Sequence, residues 1–177
     1  MSFNYVGSRN GAQRNLTEPI VITTSDVVAV GSVVETYSAG TAGYGAAAQP
    51  IKGIVHAIVD ADGLPITNST HTAGTAHSAD NASVTGDGTQ YVIIDTSESS
   101  LYSATVSGTI GTTVSSDSGF CKIDVDSSNT NYNQLLETTA TRTIGTPANF
   151  YSHGVDPQDS TRLIVSIAMS EEASVLE

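Results

Sequence analysis

The chain reads as an all-β protein: a single-domain β-sandwich or β-barrel of about eight strands with an extended N-terminal arm. Three observations predict this. Short runs rich in Val and Ile recur along the 177 residues, separated by Gly, Asn, Asp and Ser, which is the composition of half-buried strands and the turns between them. Ser and Thr make up about a quarter of the chain and charged residues only 14%, so its polarity comes from hydroxyls and amides that suit strand surfaces. No segment carries the apolar spacing of a long helix. A chain of this length can enclose a real hydrophobic core as one domain.

The elements follow in order. Residues 1–18 form the arm, where Asn, Gly, Gln and Arg dominate and Phe3, Tyr5 and Val6 are apolar points without periodicity. The β-domain spans 19–170. Pro19 opens a run at 20–24, and a second run at 27–37 is broken at Gly31. Residues 39–49 read as a Gly/Ala loop. Pro50 leads the strongest strand, 51–60, in which Ile51, Val55 and Val59 alternate with Ile54 and Ile58. Both of its faces are apolar, which predicts a central strand.

Asp60-Ala61-Asp62-Gly63 signals a turn. The polar stretch 67–88 is long for a loop inside a domain, and is expected to be either disordered or ordered by a partner. Further strands are expected at 90–95, 101–107, 120–126, 148–152 and 162–169. In the last, Leu163, Val165, Ile167 and Met169 alternate with Arg162, Ser166 and Ala168. Residues 131–137 can hold one helical turn around Leu135 and Leu136, and 171–177 is a short acidic tail.

Charge excludes several function classes. Six Lys+Arg stand against eighteen Asp+Glu, for a net charge of −12 and a pI near 4.4. Such a surface repels phosphate backbones, so no nucleic-acid partner is expected. No apolar run reaches the roughly eighteen residues of a membrane helix, and no membrane partner is expected. The start, Met1-Ser2-Phe3-Asn4-Tyr5-Val6, lacks a basic-then-apolar signal pattern. The expectation is a protein made in a cytoplasm and not exported by an encoded signal, which leaves the sequons at Asn15, Asn68 and Asn81 accidental. The single cysteine, Cys121, excludes an intramolecular disulfide. Alternation places it with Ile123 and Val125 on one face, as a small buried residue.

No residue constellation is specific to a chemistry. The stretch from Asp124 begins like a calcium loop but has Asn129 at its sixth position and Leu135 at its twelfth, so it fails as an EF-hand. The turn at Asp60 fails likewise and reads as solvated carboxylates. His71 and His77 lie six apart in the polar loop, a spacing without zinc-ligand precedent. His56, between Ile54 and Ile58, is expected to pack or hydrogen-bond within the sheet. A hydrolase needs a nucleophile, a base and an orienting acid. His77, Ser78 and Asp80 have those types but are merely adjacent, and His153, Asp156 and Asp159 read as a loop cluster. No Gly-rich loop leads into a helix to cradle phosphate. We therefore expect no catalytic residue, no metal and no cofactor. A sugar-binding module remains an alternative, because seven Tyr are present and Tyr37 and Tyr44 flank the Gly/Ala loop.

The order of segments resembles a known family. A loose Asn/Arg/Gly arm is followed by the Val-rich runs between Pro19 and Tyr37. Then come Pro50-Ile51-Lys52-Gly53-Ile54-Val55, the stretch from Gln90 to Ser107, and Arg162-Leu163-Ile164-Val165-Ser166-Ile167 ahead of the acidic tail. In style and order over most of its length the chain is similar to the decoration, or cement, proteins of tailed-bacteriophage capsids. The resemblance implies a non-enzymatic virion structural protein, made in the host cytoplasm, that binds the outer surface of the expanded capsid. Its partners would be the major capsid protein and itself, as a homotrimer at local threefold positions, bridging capsomers. The alternatives are a carbohydrate-binding or fibre-type β module, and a tail or tube virion β-protein assembled in hexameric rings.

The partner-facing segment is expected at 3–18, with Phe3, Tyr5, Arg9 and Arg14 as its contact residues. Both arginines precede every carboxylate, whereas the remainder carries four positive side chains against eighteen negative. Such an arm can order on a shell protein or an adjacent subunit. On this reading, deleting residues 1–15 leaves the β-domain folded.

Overall fold

Short β-branched runs, each too narrow to bury itself alone, fold in the computed structural model into two five-stranded antiparallel sheets and one two-stranded ribbon. The structure describes residues 3–23, 27–36, 40–44, 51–66, 83–85, 88–107, 110, 121–123, 135–136 and 150–167. In chain order the strands are β1 (Phe3–Ser8), β2 (Ile20–Val21), β3 (Val27–Ala29), β4 (Val33–Thr36), β5 (Ala42–Tyr44) and β6 (Gly53–Asp60). They continue with β7 (Ser83–Thr85), β8 (Gln90–Asp95), β9 (Ser100–Thr105), β10 (Cys121–Ile123), β11 (Phe150–Asp156) and β12 (Asp159–Ile167). The first sheet has the order β1-β9-β12-β11-β10, the second β2-β8-β6-β4-β5, and β3 pairs with β7. The all-β class holds, with twelve strands among the described residues rather than about eight.

Two apolar cores flank the second sheet. Phe3, Tyr102, Ala104, Phe150, Leu163, Val165 and Ile167 of the first sheet pack with Val33 and Ile54 of the second. Val34, Val55, Ile58, Val92 and Ile94 pack with Ile22, Val28 and Ala42. Successive residues Ile54 and Val55, like Val33 and Val34, thus enter different cores, as the alternation of side chains along a strand requires. This is why β6 is apolar on both faces, and it is central in its sheet as expected.

Two glycines permit the close approach of these layers. Gly31 has φ +85, and a Cβ there would stand 2.6 Å from the Phe3 carbonyl oxygen, so the turn between β3 and β4 closes directly over β1. Gly53 lies against Ile94 and the Asp95 carbonyl, where a Cβ would overlap backbone. Gly53→Ala is expected to cost about 1–3 kcal/mol by overpacking, read as a lower urea midpoint with an unchanged m-value.

The largest correction concerns the arm. Over residues 3–18 it is part of the domain. β1 pairs antiparallel with β9, from Phe3 opposite Ala104 to Ser8 opposite Ser100. Phe3 is 2% exposed and stacks on Phe150, with ring centroids 4.9 Å apart. The register shifts between Tyr5 and Gly7, leaving Val6 as the bulged residue, 51% exposed. The bulge breaks the alternation that would have marked this segment as a strand.

Several loop expectations change as well. Within 39–49, Ala42–Tyr44 is β5, paired with β4, and within 67–88, Ser83–Thr85 is β7, paired with β3. Residues 67–82, with His71 and His77, lie outside the described residues, as do 124–130 and the tail at 171–177. The helical turn expected at 131–137 is replaced, at its described residues, by a parallel bridge from Leu136 to Val106, with Leu136 in the core. The loop cluster of His153, Asp156 and Asp159 is instead a hairpin, since β11 runs on to Asp156 and β12 starts at Asp159. Cys121 opens β10, opposite Ser152.

Candidate functional site: the Arg14–Asp95 cluster

Asp95 is the last residue of β8 and is 0% exposed. A carboxylate at such a position must be surrounded by donors or lose its charge. Its Oδ2 accepts hydrogen bonds from Tyr102 Oη at 2.6 Å, Ser100 Oγ at 2.7 Å and Arg14 Nε at 2.7 Å. Its Oδ1 accepts the Ser97 backbone N–H at 3.0 Å. Burial pushes the carboxyl pKa up, but the donors from Tyr102, Ser100, Ser97 and Arg14 outweigh it and hold the group below the usual carboxylate range. Burial and the Asp95 charge together push the Tyr102 hydroxyl far up.

Arg14 joins five segments of the chain. Besides Asp95, its Nη1 donates to His56 Nδ1 at 2.9 Å and its Nη2 to Tyr102 Oη at 3.4 Å. Its guanidinium carbon stands 4.1 Å from the centroid of the Tyr5 ring, a cation–π distance, and that ring meets Tyr102 edge-on at 5.8 Å. Burial lowers the Arg14 pKa, and the hydrogen bonds to Asp95 and Tyr102 more than restore it. The chain beside it is tied to β8: Leu16 bridges Asp95, Thr17 N–H donates to the Ile94 carbonyl at 2.9 Å, and Thr96 N–H donates to the Asn15 carbonyl at 2.8 Å.

His56 reaches Arg14 because of a bulge. Val55 pairs with Ile94 and Ala57 with Ile93, so His56 is the extra residue of β6 and stays exposed. Of the two expectations, packing or hydrogen-bonding within the sheet, His56 follows the hydrogen-bonding one, but its partner is Arg14, outside the strands. Tyr5, Arg14, Val30, His56 and Tyr102 border a cleft of 440 Å³, within the roughly 300–1,000 Å³ of small-ligand pockets.

The structure gathers three of the four expected contact residues. Phe3 lies in the core beneath the cluster, while Tyr5, 41% exposed, and Arg14 form its rim. Arg9 is apart, in a 3₁₀ turn spanning Arg9–Gly11, where its backbone N–H donates to the Ser99 carbonyl at 2.7 Å. Sequence reasoning missed Asp95, Tyr102 and His56 as partners of Arg14. The available signal was a carboxylate closing the apolar run of β8.

A second polar network lies on the first sheet. Ser103 Oγ donates to Asp156 Oδ2 and accepts from Arg162 Nε at 2.7 Å. Arg162 Nη1 also donates to Thr105 Oγ1 at 2.7 Å. The Ser103 bond chiefly lowers the Asp156 pKa, and the Thr161 bond that of Asp159. His153 Nε2 pairs with Ser166 Oγ at 2.9 Å. These are the atom types of a hydrolase dyad, but Ser166 is fully buried, so in this structure its hydroxyl cannot meet a substrate. Among the described residues, no group of three or more His, Cys, Asp or Glu is placed to hold a metal ion.

The Asp95 shift fixes a pH dependence. Its folded pKa lies below its unfolded value of about 3.9, so its stabilising contribution is complete above that value and is lost as pH falls through the folded one. Acid titration of the urea midpoint should show a decline below about pH 4 that is shallower in Asp95→Asn. Equal slopes in the two proteins would contradict the assignment.

No family model, no curated protein and no solved structure matches this chain.

Proposed function

We propose that this protein is a non-enzymatic virion structural protein that binds the outer surface of a tailed-bacteriophage capsid and stabilises contacts between capsomers. It acts as a homotrimer whose partner is the major capsid protein. The observation that carries this reading is the use made of charge. Arg14 and Arg162, two of the six positive side chains, are engaged in internal networks with Asp95 and with Ser103 and Thr105. A carboxylate that accepts four hydrogen bonds and has a lowered pKa is a fastener rather than a general base. What remains for the exterior is acidic and hydroxyl-rich, which keeps many copies soluble before assembly. Modest contacts then become strong by repetition over a shell.

The cleft beside the half-exposed Tyr5 favours a second reading, a carbohydrate-binding module, since the part of the ring that Arg14 leaves uncovered can pack a sugar face while its hydroxyl is held by Ser8. One experiment separates these readings. Sedimentation of the purified protein should give a trimer mass, and gold-labelled antibodies against it should decorate the outside of intact virions from the producing culture. Hexameric rings would indicate a tube protein. Unlabelled virions together with binding on a glycan array would replace the shell reading with the carbohydrate one.

A further inference from the structure

We propose that His56 is an acid-sensitive latch on the N-terminal segment: protonation of its imidazole breaks the contact with Arg14 and weakens the hold on residues 3–17 without detaching them from the folded domain. The chemistry follows from donor and acceptor types. A guanidinium only donates, so the 2.9 Å contact between Arg14 Nη1 and His56 Nδ1 requires a lone pair on Nδ1 and the single ring proton on Nε2. An imidazolium carries N–H on both nitrogens. It cannot accept from Arg14, and it sets a second cation at hydrogen-bond distance from the first.

Among the described residues, the groups facing this contact are Arg14 itself, Asp95 from β8, Tyr102 from β9 and Tyr5 from β1. Only Asp95 is negative, and its Oδ2 already accepts from Arg14, Ser100 and Tyr102. The carboxylate is thus committed before a second cation appears. Burial first, and the Arg14 charge second, lower the His56 pKa, with Asp95 opposing. The folded value lies below the unfolded one of about 6.5. The contact is therefore complete above that value and fails as pH falls through the folded pKa.

The bulge makes the response local. His56 is the extra residue in the β6–β8 register, so losing its contact with Arg14 leaves the pairing of Val55 with Ile94 and of Ala57 with Ile93 in place. Tyr5 and Asp95 hold Arg14 from two other sides. Loss of the His56 acceptor therefore removes one of the ties on Arg14, and with it part of the hold on β1 and on the segment that Leu16 and Thr17 tie to β8.

Amide hydrogen exchange on the full chain tests this. Between about pH 7 and about pH 5, exchange at residues 3–17, corrected for its intrinsic pH dependence, should accelerate about threefold, with β11 and β12 unchanged. His56→Gln, whose amide oxygen accepts from Arg14 at any pH, should abolish the acceleration, and His153→Gln should leave it. Persistence of the acceleration in His56→Gln overturns the latch. In the wild-type protein, nitrogen NMR shifts of the His56 ring and the Arg14 Nε–H should move with one midpoint, and separate midpoints overturn it too.

Discussion

Replacing Asp95 with alanine is expected to cost about 3 kcal/mol, the lower end of the range for removing one partner of a buried ion pair, because Asp95 is fully buried but Arg14 is 20% exposed. The loss is large because Arg14, Ser100, Tyr102 and the Ser97 backbone all aim donors at this one side chain. Once orphaned, the buried Ser100 and Tyr102 hydroxyls lose a partner that water does not readily replace, while Arg14 is only part-buried. In a chain of this size the melting temperature should fall by roughly 10 °C. Arg14→Met alone should cost less, since three donors to Asp95 remain. The double variant should be less unstable than the sum of the singles, because residues sharing one network are not additive. Strict additivity would mean that Arg14 and Asp95 do not act as a pair.

Deleting residues 1–15 is expected to unfold the domain or bring it close to unfolding, the reverse of the outcome an independent arm implies. The deletion removes a paired strand, the Phe3 ring stacked on Phe150 and the Arg14 side chain over Asp95. Phe3→Ala alone should cost about 3–5 kcal/mol, the range for emptying a buried phenylalanine site. That is a large part of the roughly 5–15 kcal/mol that stabilises an ordinary domain. Guanidinium unfolding followed by circular dichroism measures both effects. An unchanged midpoint in the truncated protein would restore the free-arm reading and place the partner contacts in 1–15. If instead the truncation unfolds the domain, a fall in partner binding carries no information about contacts, and Tyr5→Ser and Val6→Ser, at exposed positions, become the variants that probe the rim.

The legible parts of the fold were those with local causes. β6 was readable because valine and isoleucine fill both parities of one run, and that pattern arises only where both faces are covered. β12 was readable from its strict alternation, and the turn at Asp60 from its Asx chemistry: Asp60 Oδ1 accepts the N–H groups of Asp62 and Leu64. β1 was illegible for an equally local reason, since a one-residue bulge and a glycine, Gly7, erase the period of two. β5 and β7 are three residues each, too short for any pattern to stand above a Gly/Ala-rich or Ser/Thr-rich background.

The cluster around Arg14 marks the boundary. Composition alone dictates that a chain with these runs and turns becomes β-sheet, and that its few positive charges are outnumbered threefold. Composition also separates the two early arginines from every carboxylate. It does not say that Arg14 meets Asp95, eighty-one residues away, or that the same guanidinium reaches His56 through its other nitrogen. That meeting depends on strand order, because β1 pairs with β9 and β8 with β6, and on a single extra residue in β6 that turns a histidine out of the ladder. Local sequence sets backbone preference and side-chain parity. Which distant carboxylate neutralises which arginine is settled by packing, where leaving a buried charge unpaired costs more than any local propensity.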